Sequence, residues 1–235
     1  MNRLVVMFLK NTFRIPGKVW KLKRHAKHPE RYPEIERWRH VQSIMQMLVK
    51  GGNLDLQVFG QENIPEKGFM LYGNHQSLFD VMAVASTCDS PLGAVYKKEL
   101  KNTPVLKQVY GSTKSFAMDR EDVRQSLTVI NQVIDEVKSG RSYLIFPEGP
   151  RSKLGNTMLD FHGGSFRCAT KSKCPIVPAA LVDCFKVLDQ KGSDPVSVQL
   201  HYLEPIAYEE YAGMKPAEVA ALVKSRIQAK IDACV

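Results

Sequence analysis

Two side chains that could exchange a proton lie five positions apart within residues 74–80, whose sequence is NHQSLFD. The apolar residues before this segment predict a short buried strand, and those after Ser77 predict a helix. On one regular helix His75 and Asp80 would be separated by about 140°. With His75 in the turn before the helix, Asp80 can reach back to the imidazole. An imidazole held in this way can accept a proton from a hydroxyl.

The same residues also fit a helix cap without any catalytic role. Ser77 and Asp80 have the spacing of a capping box, in which Asp80 would only accept a hydrogen bond from a free backbone N–H. A motif this short has many chance matches, so the catalytic interpretation depends on a second motif.

That second motif is residues 146–152, FPEGPRS, which follow an apolar strand predicted over residues 143–146. Ligands of α/β sheets bind beyond the ends of strands, and an arginine matches phosphate in bidentate geometry. Glu148 and Arg151 are therefore candidates for anion capture. The alternative is an ion pair between these two side chains that only stabilises the turn.

Further cations follow two other predicted strands. Lys97 and Lys98 come after a strand predicted over residues 92–96, and Arg120 comes after one predicted over residues 114–118. Such a lysine pair can hold a phosphate, although it is more often solvated surface.

The elements that must position these residues are those of a single α/β domain over residues 51–235, with a mixed, largely parallel central sheet flanked by helices. Further strands are predicted at residues 54–59, 175–181 and 196–203, and helices at residues 33–50, 122–138 and from Pro216 onward. The two prolines of the strand over 175–181 predict an edge or a bulge there. The helical stripe of residues 33–50 either packs on the domain or extends a membrane-facing surface, and packing is favoured.

Composition limits the class of protein. The chain has 235 residues, 44% of them hydrophobic, which is enough for one sizeable core. Its five cysteines are odd in number and lack metal-ligand spacing, which predicts reduced, largely buried thiols in a cytosolic compartment. No signal peptide and no apolar stretch of transmembrane length is evident.

The net charge of +9 is concentrated at the N-terminus. Residues 1–50 hold 12 Lys and Arg against 3 Asp and Glu, whereas the remaining residues are balanced. Residues 1–28 mix apolar and aromatic side chains with eight basic ones, and Pro16-Gly17 is expected to divide them into two pieces. Residues 1–50 are thus predicted to form a basic, amphipathic helical segment for an anionic bilayer surface. Nucleic-acid binding is ranked lower, because no recognition fold accompanies the charge.

Four blocks in order resemble the glycerophospholipid acyltransferase family, and most closely its bacterial 1-acylglycerol-3-phosphate acyltransferases. The blocks are Asn74-His75 with Asp80, Gly111 to Asp119-Arg120, residues 146–152, and residues 175–178. Two positions depart from the family pattern: Pro150 replaces a threonine, and His162 replaces a frequent lysine. These two departures bear on the identity of the acceptor more than on the chemistry of His75 and Asp80.

The resemblance implies transfer of an acyl group from acyl-CoA or acyl-acyl carrier protein to the 2-hydroxyl of 1-acylglycerol 3-phosphate, giving phosphatidic acid. His75 would be the general base, and Asp80 would fix its tautomer. The residues expected to bind substrate are Lys97, Lys98, Arg120, Glu148, Gly149, Arg151 and Ser152. Neither a metal nor another cofactor is expected. The enzyme would be peripheral, on the cytoplasmic face of the membrane.

Two alternatives remain open at this stage. One is an acyltransferase for another acceptor, such as glycerol 3-phosphate or another lysophospholipid. The other is a non-enzymatic lipid-binding protein in which His75 and Asp80 only cap a helix.

Overall fold

The computed structural model describes residues 3–189 and 194–235, and within them seven strands form one sheet. The strands are β1 (Leu54–Phe59), β2 (Met70–Gly73), β3 (Leu92–Lys97), β4 (Phe116–Met118), β5 (Ser142–Ile145), β6 (Ile176–Val182) and β7 (Val196–Tyr202). The order across the sheet is β1-β7-β6-β2-β5-β3-β4. The β6–β7 pair is antiparallel and all other neighbours are parallel, which confirms the predicted mixed, largely parallel sheet.

Helices connect and cover these strands. They are α1 (Arg3–Leu9), α2 (Ile15–Lys27), α3 (Glu34–Gly51), α4 (Phe79–Thr87), α5 (Leu106–Ser112), α6 (Val123–Lys138), α7 (Arg167–Ser172), α8 (Phe185–Leu188), α9 (Tyr208–Tyr211) and α10 (Pro216–Asp232). The predicted helices at residues 33–50, 122–138 and from Pro216 are confirmed within one or two residues. Asp122 caps α6 by accepting hydrogen bonds from the N–H groups of Arg124 and Gln125, at 2.9 and 3.0 Å.

The central strand β2 divides the core into two apolar layers. Successive side chains of a strand point to opposite faces. Accordingly Leu71 joins a layer with residues of α3 and α4, whereas Tyr72 joins a layer with residues of α6, α7 and α10. Because β2 and β5 are parallel neighbours, the segments that follow them, residues 74–80 and 146–152, emerge at the same edge of the sheet.

Strand β6 differs from the sequence prediction. It lies between β2 and β7 and is buried throughout, so the predicted edge position is wrong. The bulge alternative fits: Ile176 pairs with Ile206, whereas Ala179 pairs with Tyr202, so the register shifts by one residue next to Pro178. This shift accommodates a residue that has no N–H to donate to the ladder.

The N-terminal helices pack directly on the sheet domain. The guanidinium of Arg3 is buried and donates hydrogen bonds to the carbonyls of Val187 and Gly52 at 3.1 and 2.9 Å. Trp38 and Met45 of α3 are buried in the core, which confirms packing rather than membrane exposure for that stripe. The separation of residues 1–50 from 51–235 remains a prediction.

The break in the N-terminal segment is at residues 10–14, not at Pro16-Gly17 as expected. Pro16 lies in the first turn of α2, where its missing N–H removes no helical hydrogen bond. In the described part of the chain, no helix has both the length and the apolar character needed to cross a bilayer.

Candidate active site

The imidazole of His75 and the carboxylate of Asp80 are in hydrogen-bond contact. Nδ1 of His75 lies 2.8 Å from Oδ2 of Asp80. His75 is in the turn after β2, and α4 begins at Phe79, so Asp80 belongs to the first turn of that helix and reaches back as predicted.

The same oxygen of Asp80 also accepts hydrogen bonds from the backbone. Oδ2 accepts hydrogen bonds from the N–H groups of Gln76 and Ser77 at 2.7 and 2.8 Å. The carboxylate therefore caps the turn and holds the imidazole at once, so the two interpretations of this motif describe one arrangement. Asp80 is completely buried, and burial raises the pKa of its carboxyl, although the three hydrogen bonds oppose that rise.

These contacts define the tautomer of His75. An oxygen that already accepts two N–H groups acts as an acceptor toward the ring as well, so Nδ1 carries the proton and Nε2 carries the free lone pair. The ring stacks on Phe146, with centroids 4.2 Å apart and an angle of 17° between the planes. His75 is thus fixed on one face and at one nitrogen, and its side chain is 13% exposed.

Glu148 holds the backbone of the same turn. Its Oε1 accepts from the N–H of His75 at 2.7 Å, and its Oε2 accepts from the N–H of Leu159 at 2.8 Å. The carboxyl is buried, and burial raises its pKa against the effect of these two hydrogen bonds. The ion pair found for Arg151 is with Asp189, at 3.7 Å, so the alternative of a Glu148–Arg151 ion pair is wrong.

The turn around Glu148 is joined to the histidine turn a second time. The N–H of Ser152 donates to the carbonyl of His75 at 2.8 Å. Within the turn of Glu148, Gly149 has a φ of +81°, a left-handed conformation that favours glycine. Gly149 and Ser152, predicted as substrate-binding, thus shape and attach this turn through their backbones.

Two asparagine side chains brace the site: Asn74, which belongs to the first of the four blocks but was given no role, and Asn156, which lies outside them. Asn74 donates to the carbonyl of Leu181 at 2.9 Å and accepts from its N–H at 2.7 Å, which ties the end of β2 to β6. Asn156 accepts from Nε2 of Gln76 at 2.9 Å and from the N–H of Asp183 at 2.9 Å. For Asn74 the signals were its place in the first block and its position directly after a predicted strand, and for Asn156 there was none.

An apolar cleft of about 390 Å³ lies next to Phe146, although His75 is not itself one of its described lining residues. Its walls come from β3, β4, α6, the turn after β5 and the segment 162–167, and Phe146, the ring on which His75 stacks, is part of them. Among the predicted anion ligands, Arg120 lines this cleft, whereas Lys97, Lys98 and Arg151 do not. Lys97 pairs with Glu99 at 3.2 Å, and Lys98 pairs with Asp119.

The fold and the site define a class: an α/β protein with a histidine, oriented by a carboxylate, in the turn after a central strand. The family model described as Acyltransferase matches residues 55–182, more than half of the chain. The chain belongs to the acyltransferase family.

Curated relatives agree with this assignment. The chain is 29% identical over 178 residues to the 1-acyl-sn-glycerol-3-phosphate acyltransferase of Saccharomyces cerevisiae, covering 74% of this chain and 59% of that protein. It is 29% identical over 159 residues to the Escherichia coli protein of the same name, covering 67% and 64%. It therefore spans less than two thirds of the length of these relatives.

The structural comparison concerns the fold. The crystal structure of the 1-acyl-sn-glycerophosphate (LPA) acyltransferase, PlsC, from Thermotoga maritima matches with a TM-score of 0.73 at 21% identity, covering 84% of this chain and 79% of that one. The two chains thus share the α/β architecture.

Proposed function

We propose that this protein transfers a fatty acyl group from an acyl thioester to the 2-hydroxyl of 1-acylglycerol 3-phosphate, giving phosphatidic acid. The observation that carries the proposal is the contact between Nδ1 of His75 and Asp80 at 2.8 Å, which leaves Nε2 as a base. The names of the relatives supply the substrate class.

The chemistry requires one base and no enzyme nucleophile. Nε2 of His75 removes the proton of the acceptor hydroxyl as its oxygen attacks the thioester carbonyl. The C–S bond then breaks, and the imidazolium returns the proton to the departing thiolate. Asp80 stabilises the imidazolium in the same way as the acid of a Ser-His-Asp site, with the substrate hydroxyl in place of the serine. General-base catalysis of this kind contributes roughly 10²- to 10⁴-fold in rate.

The surroundings of His75 suit this reaction. The cleft that Phe146 lines is mostly apolar, as an acyl chain requires, and the stacked Phe146 shields one face of the His75 ring from water. Glu148 and Ser152 hold the backbone of the histidine turn from both sides. The base is therefore positioned before any substrate arrives. The acyl donor is acyl-CoA or acyl-acyl carrier protein.

We also propose a peripheral position on the cytoplasmic face of an anionic membrane, and the N-terminal helices support the membrane contact. Around the turn between α1 and α2, Leu9 is 59% exposed and Phe13 fully exposed, and Trp20 of α2 is 61% exposed. Exposed basic residues accompany them, among them Lys10 and Arg14. Apolar groups that insert into the headgroup region, with cations that attract anionic lipid, are the two elements of such a surface.

The test is acyl transfer by the purified chain in mixed micelles. Each labelled donor, acyl-CoA and acyl-acyl carrier protein, is combined with 1-acylglycerol 3-phosphate, glycerol 3-phosphate or a lysophosphatidylcholine. We expect 1-acylglycerol 3-phosphate to be the preferred acceptor and His75→Ala to lose at least about 10²-fold in kcat. A preferred acceptor other than this one would revise the substrate. A folded His75→Ala protein with undiminished transfer would remove the catalytic role.

A further inference from the structure

An open cavity of about 690 Å³ lies between α2 and α3, in a part of the chain that the proposed chemistry does not use. Two of the cations that line it, Arg14 and Lys18, are four positions apart, and the N–H of Lys18 donates to the carbonyl of Arg14 at 3.4 Å. Side chains with this helical spacing have their Cβ atoms about 5–6 Å apart. The described lining residues of the cavity include neither Asp nor Glu.

Lys18 is held in place while its charge is left unpaired. Its ammonium donates to the hydroxyl of Ser43 at 2.7 Å, and that hydroxyl donates to the carbonyl of His40 at 2.8 Å. Within residues 3–189 and 194–235, neither Arg14 nor Lys18 has a carboxylate within 4.0 Å. The cavity therefore contains two positive charges that no described acidic side chain neutralises.

His40 lines the same cavity and is only 9% exposed. Its Nε2–H donates to the carbonyl of Lys18 at 2.9 Å, whereas its Nδ1 has no hydrogen-bond partner in the described chain. Burial lowers the pKa of His40, so the ring is neutral at pH 7. The third cation of the cavity, Lys21, is paired with Glu36 at 3.2 Å. The excess charge thus comes from Arg14 and Lys18.

The cavity adjoins the exposed apolar groups of the N-terminal helices. Phe13, which directly precedes Arg14, is fully exposed, and Trp20, which directly precedes Lys21, is 61% exposed. One residue along a helix rotates the side chain by about 100°, so Trp20 projects away from Lys21 and from the cavity. If α2 lies in the interface with Trp20 toward the acyl chains, the side of α2 that faces the cavity lies among the lipid headgroups.

We propose that this cavity binds the phosphate group of a bilayer phospholipid, held between Arg14 and Lys18. The inference rests on the proposed membrane position and not on acyl transfer. A guanidinium and an ammonium one helical turn apart can share the oxygens of one phosphodiester. Such a site distinguishes phospholipid from other anionic lipid, which the general attraction between a basic surface and a negative one does not do. The exposed Phe13 and Trp20 favour a bilayer phosphate over a free one.

The experiment separates a phosphate site from general negative charge. Sedimentation is measured with vesicles of digalactosyldiacylglycerol, a neutral lipid without phosphate, that contain about 30% of either phosphatidylglycerol or dioleoylglycerol succinate, a carboxylate of equal charge. The wild-type chain, Arg14→Gln and Lys18→Gln are compared with Lys23→Gln. Lys23 is the matched control, because it is an exposed cation of α2 that projects about 60° from Trp20 and does not line the cavity.

We expect the wild-type chain to prefer the phosphatidylglycerol vesicles at least about fivefold, because charge-assisted hydrogen bonds add to the general attraction. Arg14→Gln and Lys18→Gln should each reduce this preference to less than about twofold. Lys23→Gln should weaken binding to both kinds of vesicle equally and keep the preference.

Three outcomes would overturn the site: equal binding of the wild-type chain to the two kinds of vesicle, a preference that Arg14→Gln and Lys18→Gln retain, or a preference that Lys23→Gln loses as well. Inorganic phosphate, titrated by calorimetry without vesicles, tests the source of the phosphate. A Kd below about 1 mM together with equal vesicle binding would assign the cavity to a soluble phosphate compound and overturn the lipid assignment.

The result does not depend on one variant or on the proposed reaction. If Lys18→Gln fails to fold, as judged by thermal melting, Arg14→Gln decides, since Arg14 is exposed. A wild-type chain that sediments with neither kind of vesicle would refute the membrane position and the site together. A chain that shows the expected preference but acylates no acceptor in micelles would refute the proposed reaction and leave the site supported.

Discussion

The carboxylate of Glu148 accepts a hydrogen bond from the backbone N–H of His75 at 2.7 Å, although 73 residues separate them in sequence. Its second oxygen accepts from the N–H of Leu159 at 2.8 Å, so both oxygens are used by the protein backbone. The sequence motif suggests that this glutamate binds substrate. Its contacts support a different contribution, which is to hold the turn that carries the base.

Glu148→Gln should therefore lower both stability and activity. An amide presents an NH₂ group to one of two backbone donors, and a buried unsatisfied donor costs about 1–3 kcal/mol. The free energy of unfolding from urea titration and the kcat of acyl transfer should both fall. Glu62→Gln, at an exposed position, is the control and should change neither. A stable Glu148→Gln protein with a raised KM alone would instead favour direct contact with substrate.

Asp80→Asn should show how much of the activity depends on the negative charge of Asp80, apart from the orientation that this side chain gives to the His75 ring. The amide oxygen can still accept the three hydrogen bonds made to Oδ2, but it no longer offers a negative charge to the imidazolium. We expect kcat to fall about 10²- to 10⁴-fold with little change in KM. Steady-state kinetics on a variant with a wild-type circular dichroism spectrum checks this. A kcat within about threefold of wild type would show that the charge is not used.

The same variant should alter the pH dependence of stability. Burial raises the folded-state pKa of Asp80 above its ordinary value, so the folded protein holds this proton more tightly than the unfolded chain. The stabilising contribution is then present at acidic pH and is lost as the pH rises through the raised pKa. The free energy of unfolding of Asp80→Asn relative to wild type should consequently increase from about pH 4 to pH 7. A flat or falling difference would contradict the raised pKa.

Charge placed in the exposed apolar patch should weaken membrane binding. Deleting residues 1–28 would also remove Met7 and Leu22, which are fully buried, so substitutions are the sharper test. Phe13→Glu should reduce sedimentation with vesicles that contain 30% anionic lipid, because a carboxylate is repelled by the surface and does not insert. Val235→Glu, at a position that is 81% exposed near the C-terminus, should bind as wild type. Equal binding by Phe13→Glu would place the membrane surface elsewhere.

Thiol labelling should show which cysteines are buried in the core. Burial raises the pKa of Cys88 and of Cys168 to about 12, so at pH 8 both remain in the unreactive thiol form. Four of the five cysteines are buried, and Cys234 is partly exposed. Iodoacetamide at pH 8 should label Cys234 in the folded chain and all five cysteines in guanidinium, as counted by mass spectrometry. Rapid labelling of Cys88 or Cys168 under native conditions would contradict the packing.

Local patterns account for what the sequence could predict. Helix α6 repeats its apolar residues with helical spacing and has an acidic cap at Asp122. Both its length and its first residue were therefore predictable from the sequence. The His75–Asp80 contact was predictable because a turn followed by a helix brings the two side chains together over five residues.

The failures involve residues brought together by the tertiary fold. The partner of Arg151 is Asp189, 38 positions away, and no local pattern connects the two. The interior location of β6 depends on where β7 and β1 join the sheet. Arg167 lies outside every recognised block, yet the fold places it among the residues that line the cleft.

The double use of Oδ2 in Asp80 affects how sequences related to this one are interpreted. An acid at this position satisfies two backbone N–H groups whether or not any chemistry occurs, so a descendant that had lost acyl transfer would still be selected to keep it. Pseudoenzymes of this fold would therefore retain the aspartate. A survey for inactive members should accordingly look for a replaced histidine at position 75, because its side chain accepts from neither of these backbone groups.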